Sequence, residues 1–567
     1  MDENQDPINF HSPSSILHPS AQPSWRDWRN AILKAAVFIF FLLFLAVHFG
    51  DPIRLVTADL GRHLKNGELI LTGEHKVFTA NFYSYTQPSF PFVNHHWGCG
   101  VLFYLIYQWG GFTGLSFFYI GVLLLTFILF FRIAENFSDY SCAFFFSVLA
   151  LPIMTDRLEI RPEGLSVLLI AIYLYLLFKY QRGELSFRWL LWTIPFLQIF
   201  WVNTHIFFFM GGFLIVVFLL DAWLSRRDPQ MMRDLFVLCL CAAAASVVNP
   251  AFIKGALVPL TIFKEYGYRL AENQSVLFMQ KRFGHDPKYL YFEGLVLLSL
   301  IGWVMTYWKK NWRAHIAATL IFLFFLLLGL KTVRSMAMFA FVFIPLSCFF
   351  WAAFMERFSK RARRVTSGIL LAGGLLIVGH GMCFANSYFS PCQRLEPFIA
   401  FQEKGAHERS LFYLLRNPQI WTGLVPGINR PAEFFQQLKI QGPVFNNYDI
   451  GGYLIFHLAP KTKVFVDNRP EAYSVPFFKE IYVPMQEDDR VWHKVEEQYH
   501  FNSIFFYRYD LTPWGQDFLI HRIQDPTWAP VFVDAFTIIF LKRNEQNKAV
   551  INAFELPRSM FAISDGR

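Results

Sequence analysis

Apolar residues run along this chain in blocks of fifteen to twenty, separated by polar connections, and such blocks approach or match the length at which one helix crosses the hydrocarbon core of a bilayer. Eleven stand out, at about 31–49, 114–133, 140–155, 163–179, 187–202, 205–220, 235–249, 289–307, 314–330, 335–354 and 366–385. The stretch 98–110 is apolar as well and ends in Gly110-Gly111, so eleven holds to within one or two. The first block follows a polar tail, 1–30, rich in Ser, Pro and Asn. No small-residue cleavage site comes after it, and it reads as an anchor rather than a removed signal peptide. The expectation is a polytopic α-helical membrane domain over 31–385, whose first outer loop spans 50–97. After residue 385 the pattern changes. Short strand-like runs at Val444-Phe445, 463–467, 503–507 and 531–541 alternate with helix-like stretches near 474–485, 489–499 and 515–524. This predicts a soluble α/β domain over 386–567, long enough to bury a core of its own.

Composition narrows the class. The 567 residues are 54% hydrophobic and only 16% charged, against about 25% charged in ordinary soluble domains, which excludes disorder, collagen-like repeats and a disulfide mini-scaffold. The formal charge of +9 reports topology first in a membrane protein and gives no reason to invoke a nucleic acid. With the N-terminus inside, the inside segments carry Arg26, Arg29 and Lys34; Arg132; Lys179, Arg182 and Arg188; Arg226, Arg227 and Arg233; Lys309, Lys310 and Arg313; then Arg357, Lys360, Arg361, Arg363 and Arg364. The opposite connections are very short, as at Asn203-Thr204-His205, or long and mixed in charge, as at 50–97 and 250–288. The expected location is therefore the plasma (inner) membrane, with a cytoplasmic N-terminus and an extracytoplasmic C-terminal domain. The seven cysteines show no metal spacing, and a Cys383–Cys392 disulfide on the outer side stays open. No Walker loop, dinucleotide fingerprint or kinase signature points to a nucleotide.

The unusual polar clusters all fall on the outer side. If 57–71 is helical, Asp59, Arg62 and His63 share one face, while Leu60, Leu64 and Leu71 can line an opposite, membrane-facing side. The same residues also fit a plain amphipathic surface helix with an Asp–Arg pair. Adjacent His95 and His96, beside Trp97, could bind a metal or a phosphate, or simply anchor the chain among headgroups. Arg161 and Glu163 flank Pro162 at the start of one span, Asn203 and His205 lie at the join of two others, and Lys331 and Arg334 precede a further one. Ionisable groups at membrane depth are costly and serve as functional candidates unless they snorkel or pair. A lipid-linked phosphate or diphosphate held at that surface would require several cations. In the C-terminal segment, Gly451-Gly452 opens a helix after a strand. Asp467 and Arg469 stand at a strand end, as ligand contacts or as a structural ion pair.

Three pieces of the first loop, "TADLGRHLKNGELIL", "NFYSYTQPSFPFVNHHWG" and "YQWGGFTGL", resemble the corresponding loop of GT-C-type glycosyltransferases, the polytopic class that includes protein O-mannosyltransferases and aminoarabinose transferases. The chain looks most like a bacterial branch of that class with a D-x-G-x-H-x-x-x-G loop and an N-x-Y-x-x-G-G-Y-L motif in a C-terminal soluble domain. Those motifs read "DLGRHLKNG" and "NNYDIGGYL" here, and "WVNTH", the Asn249-Pro250 pair and "VFVDNRPEAY" also look like that branch. The resemblance implies a GT-C-like fold of about 11 transmembrane helices. It also implies transfer of a sugar from a polyprenyl-phosphate donor to an envelope glycan, lipid or protein acceptor at the outer face. By the same resemblance Asp59 would be catalytic, as general base on an acceptor hydroxyl or as the group that orients it. Arg62, His63, Arg161, His205, Lys331 and Arg334 are the local candidates for positive charge at the departing phosphate, with His95, His96, Glu163 and Asn203 as further substrate contacts. The chain departs from the class in having Arg62-His63 rather than a second acid beside the loop Asp, and His95-His96-Trp97 in place of a proline-rich continuation. Those departures leave a divalent metal and the substrate's identity open.

Two other functions compete. A lipid or solute transporter predicts charges or broken helices near the middle of several spans, in paired halves, whereas the polar residues here gather at one rim. A non-catalytic scaffold or sensor predicts that Asp59 is dispensable while Asp467 and Arg469 are not.

Overall fold

The computed structural model describes residues 25–261, 266–283, 286–307, 316–384 and 422–561. Each expected apolar block falls on a helix to within a few residues. They are α1 (Trp25–Phe49), α3 (Trp97–Phe137), α4 (Tyr140–Met154), α5 (Pro162–Gln181), α6 (Phe187–Thr204), α7 (Phe209–Leu224), α8 (Pro229–Ser246), α9 (Pro287–Tyr307), α10 (Ile316–Lys331), α11 (Met336–Met355) and α12 (Lys360–Phe384). Among the described residues, seven helical runs are long and apolar enough to cross a membrane: Trp28–Phe49, Trp97–Phe137, Pro162–Gln181, Ile206–Leu224, Pro287–Tyr307, Val333–Met355 and Lys360–Gly379. Helices α4 and α10 are shorter apolar ones. The apolar stretch 98–110 is helical too and continues into 114–133 through a bend at Gly111 (φ 61°), a backbone angle that favours glycine. The interior is aromatic: Phe130 meets Phe341 and Phe146 meets Phe343 at ring separations of 5.9 and 5.7 Å. Trp109, Trp189, Trp192 and Trp223 stand on the outer surface, where Trp suits a membrane–water boundary. Lys309, Lys310 and Arg313, and the Cys383–Cys392 pairing, lie outside the described residues.

The C-terminal region carries a four-stranded sheet in the order β1-β2-β4-β3, made of β1 (Val444–Asn446), β2 (Ser503–Tyr507), β3 (Trp528–Val533) and β4 (Thr537–Lys542). β1 runs parallel to β2, while β2–β4 and β4–β3 are antiparallel. Two expectations need correction. The run 531–541 is not one strand but the two arms of a hairpin, because the Asp534 carboxylate accepts from the Phe536 and Thr537 amides and turns the chain. The run 463–467 does not join the sheet. Val464 instead donates to the Tyr83 carbonyl (3.0 Å), and Tyr85 donates back to the Val464 carbonyl (3.2 Å).

That exchange locks the region onto the 50–97 loop between α1 and α3. Tyr85 Oη donates to the Val444 carbonyl (2.9 Å), Gln87 Nε2 to Ser474 Oγ (2.9 Å), and Arg469 Nη2 to Asn81 Oδ1 (2.9 Å). The loop helix α2 (Leu60–Leu71) is wedged between two glycine contacts. A Cβ on Gly67 would sit 2.2 Å from the Gly100 carbonyl of α3, and one on Gly61 would sit 2.8 Å from the Gly452 carbonyl of the helix Gly451–Leu458. Leu60 and Leu64 consequently do not face lipid as expected. Both are completely buried inside the protein, and only Leu71 is exposed.

Candidate functional site

Asp59 occupies the position before the first residue of α2, yet its side chain caps no amide of that helix. Its carboxylate keeps 25% of its side-chain exposure and lies 3.7 Å from Arg62 and 3.9 Å from Arg161. Arg62 is buried and donates through Nε to Asn468 Oδ1 (3.2 Å) of the C-terminal region. Arg161 precedes α5, where Pro162 at the first helical position fixes the turn.

From Arg161 the charges continue as a chain. Arg161 pairs with Glu159 (2.6 Å) and Glu272 (2.9 Å); Glu272 also takes Arg157 (2.9 Å) and Arg334 (3.5 Å); Arg334 reaches back to Glu163 (3.3 Å). Burial would raise the Glu272 carboxyl, but the guanidiniums of Arg157, Arg161 and Arg334 hold it well below the usual carboxylate range. The side chains of Arg161, Glu272 and Arg334 retain 16%, 28% and 23% of their exposure, so the chain opens to a ligand on one side.

Beside it lies a stack of imidazoles. His95 and His96 are 4.0 Å apart by ring centre, His96 is 5.2 Å from His205 and 5.3 Å from His63. His205 Nδ1 shares a 2.7 Å hydrogen bond with Ser166 Oγ, which also accepts from Trp201 Nε1 (2.8 Å). Burial, helped by nearby Arg62, lowers His63 and His96 well below the ordinary imidazole value and brings His95 to about 4. These three rings are therefore neutral at physiological pH, which corrects the expectation that His63 supplies positive charge. They form the wall of the site, and its cations are arginines. Among the described residues no group of three or more His, Cys, Asp and Glu is arranged as metal ligands.

The structure thus brings Asp59, Arg62, Arg161, Glu163 and Arg334 into one charged cluster, with His63, His95, His96 and His205 packed against one another. Asn203 is not directed into the cluster: it accepts from Trp97 Nε1 (2.9 Å) and donates to the Ile199 and Val248 carbonyls, clamping helix ends together. Lys331 ends α10 and is exposed. Asp467 and Arg469 form a buried ion pair (2.6 Å), with the guanidinium between the Tyr83 and Phe92 rings. Of the two readings open for that pair, the structural one fits.

Two acids that sequence reasoning left out belong here. Glu272 sits in the long mixed-charge connection 250–288, with no motif around it. Asp449 lies inside "NNYDIGGYL", but nothing in the chain's linear order brings that motif to Asp59. Burial, followed by the charges of Asp510, Asp59 and Glu272, raises Asp449 to about 8.

No family model and no curated protein matches this sequence. Solved structures of similar fold include ArnT from Cupriavidus metallidurans bound to undecaprenyl phosphate (TM-score 0.49, 13% identity, covering 91% of this chain and 98% of that one). The apo state of the same ArnT aligns with TM-score 0.49 and 14% identity over 90% and 98% of the two chains. The Archaeoglobus fulgidus oligosaccharyltransferase in complex with zinc and sulfate aligns with TM-score 0.46 and 12% identity over 89% and 72%. At these values the likeness concerns the course of the chain and not its chemistry.

Proposed function

We propose that this chain is a glycosyltransferase that moves a sugar from a polyprenyl-phosphate donor to a hydroxyl of an envelope glycan, lipid or protein at the outer face of the membrane. The observation that carries the reading is the Asp59 carboxylate: partly exposed, capping no amide of α2, and set between Arg62 and Arg161. The donor's tail stays in lipid while its phosphate meets the arginine cluster. Asp59 takes the proton of the acceptor hydroxyl, and the oxygen bonds to the anomeric carbon. The bond from that carbon to the phosphate oxygen breaks, with its electron pair leaving on the phosphate. Arg161 and Arg334 are placed to meet the charge that develops there, and Glu272 fixes both guanidiniums in advance. Of the carboxylates around this cluster, Glu163 and Glu272 are committed to guanidiniums.

The transporter alternative needs ionisable groups near the middle of the spans, whereas this cluster is built from α2, the residues before α5, the 266–275 connection and the start of the Val333–Met355 run. The test is Asp59→Asn in membranes, with insertion verified and consumption of lipid-linked sugar as readout. The expected loss is about 10²–10⁴-fold. Full activity in a correctly inserted variant sinks the reading and favours the scaffold.

A further inference from the structure

Asp59 has an unassigned counterpart across the seam between the membrane body and the C-terminal region. Asp449 lies two residues before the helix Gly451–Leu458, as Asp59 lies one residue before α2. The two helix starts touch: Gly61 approaches the Gly452 carbonyl, and Gly452 in turn lies against the Ala58 carbonyl, with a Cβ at 3.3 Å. Asp449 is half-buried, accepts no hydrogen bond among the described residues, and interacts electrostatically with Asp59, Glu272 and Arg161. Its neighbour Tyr448 is fixed elsewhere, stacked 4.6 Å from Tyr268, with its amide donating to Tyr482 Oη (2.7 Å).

We propose that Asp449, carried by the C-terminal region, is the second carboxyl of the Asp59 site and hydrogen-bonds the acceptor substrate there. This rests on the transferase reading. The charged and titratable groups facing Asp449 are Asp59 from α2, Arg161 from the turn before α5, Glu272 and Tyr268 from the 266–275 connection, and Asp510, Tyr482 and Tyr507 from its own region. Burial, with the charges of Asp510, Asp59 and Glu272 added to it, raises the Asp449 carboxyl to about 8, so it keeps its proton at neutral pH and acts as a hydrogen-bond donor. Asp59 then remains the group that accepts the acceptor's proton. The division of roles explains why the site needs a soluble region at all: one carboxyl comes from the membrane body and the other from the domain closed over it.

The full chain in native membranes provides two readouts. The first is labelling of Asp449 by a hydrophobic carbodiimide, which reacts with protonated carboxyls, mapped by mass spectrometry across pH. Labelling should be present at pH 7, fall with a midpoint near 8, and shift that midpoint to lower pH in Asp59→Asn, which removes one of the facing charges. Absent labelling at neutral pH, or a midpoint unmoved by Asp59→Asn, overturns the pairing whatever the enzyme's activity. The second is the rate at which a panel of undecaprenyl-phosphate-linked sugars is consumed. Asp449→Ala should lower the rate by about three- to tenfold, as loss of one hydrogen bond does. Asp449→Asn, which still donates, should lower the neutral rate less than Asp449→Ala does and lose the alkaline decline. Equal loss in both variants with an unchanged pH profile overturns the substrate contact. Unaffected Asp449→Ala beside an inactive Asp59→Asn also overturns it, yet leaves the transferase reading standing. If the wild-type chain consumes no donor in the panel, the transferase reading falls and takes the substrate contact with it, while the labelling result still decides whether the carboxyls pair.

Discussion

At the scale of single residues, the site depends on charges being held in unequal states. His95 is the clearest case, its folded value lying at about 4 against 6.5 in the unfolded chain. Between those values the unfolded chain binds a proton that the folded one does not, so stability is full above 6.5 and is lost as pH falls through the window. By pH 5 the loss from His95 alone is about 2 kcal/mol. Thermal unfolding in detergent should therefore show a lower midpoint at pH 5 than at pH 7.5, and His95→Asn should shrink the difference without abolishing it, since His63 and His96 are lowered as well. A wild-type midpoint that does not move across this window would contradict the neutral assignment. Glu272 is the opposite case, an anion shared by Arg157, Arg161 and Arg334. Glu272→Gln leaves those cations facing one another and should cost about 1–3 kcal/mol, below the cost of breaking a fully buried pair because the side chain is partly exposed. Because like-charge repulsion is screened by salt, the variant's deficit in melting temperature should shrink as ionic strength rises, which a neutral packing defect would not do.

At the scale of elements, the loop helix is held by what its glycines lack. Gly67→Ala would place a methyl 2.2 Å from the Gly100 carbonyl and force α2 off α3, at about 1–3 kcal/mol; a melting temperature equal to wild type would refute that contact. The helices themselves were readable from apolar block length, since lipid imposes the length directly and capping groups such as Asp139 and Pro162 mark the ends. The strands were less readable, because period-two patterning tells where a chain is extended but not what it pairs with. Val464 satisfies the same pattern by pairing with Tyr83 and Tyr85 instead of a sheet neighbour. The orientation of α2 was misread for a related reason: Leu60 and Leu64 show one apolar side, and nothing in the spacing says whether lipid or a protein domain covers it. Of the site, Asp59 and the rim arginines could be picked out as charges beside apolar spans. Glu272 and Asp449 could not, since each reaches the site through contacts between segments distant in sequence.

At the scale of the whole molecule, the 50–97 loop joins the helical body to the C-terminal region, and one buried ion pair of that region reaches into the loop. Arg469 meets Asp467 at 2.6 Å and Asn81 at 2.9 Å, and Asp467 also accepts from Tyr473 Oη (3.1 Å). Arg469→Met would leave Asp467 charged, buried and without its cation, at about 3–5 kcal/mol. That cost falls on the seam, because Asn81 and the Tyr83 and Phe92 rings around the guanidinium belong to the loop while Asp467 belongs to the C-terminal region. Hydrogen exchange of the Tyr85 and Val464 amides, which pair across this seam, should accelerate in Arg469→Met. In Asp467→Asn/Arg469→Met the unpaired charge is gone and the asparagine can still accept from Tyr473, so exchange should return most of the way to wild type, as neutral replacement of a buried pair generally permits. Equal exchange in the single and double variants would show that the pair does not hold the seam. If it does hold, opening the seam also separates Gly452 from Gly61 and so Asp449 from Asp59. Arg469→Met should then lower donor consumption in step with exchange, although Arg469 itself stays buried between the two rings.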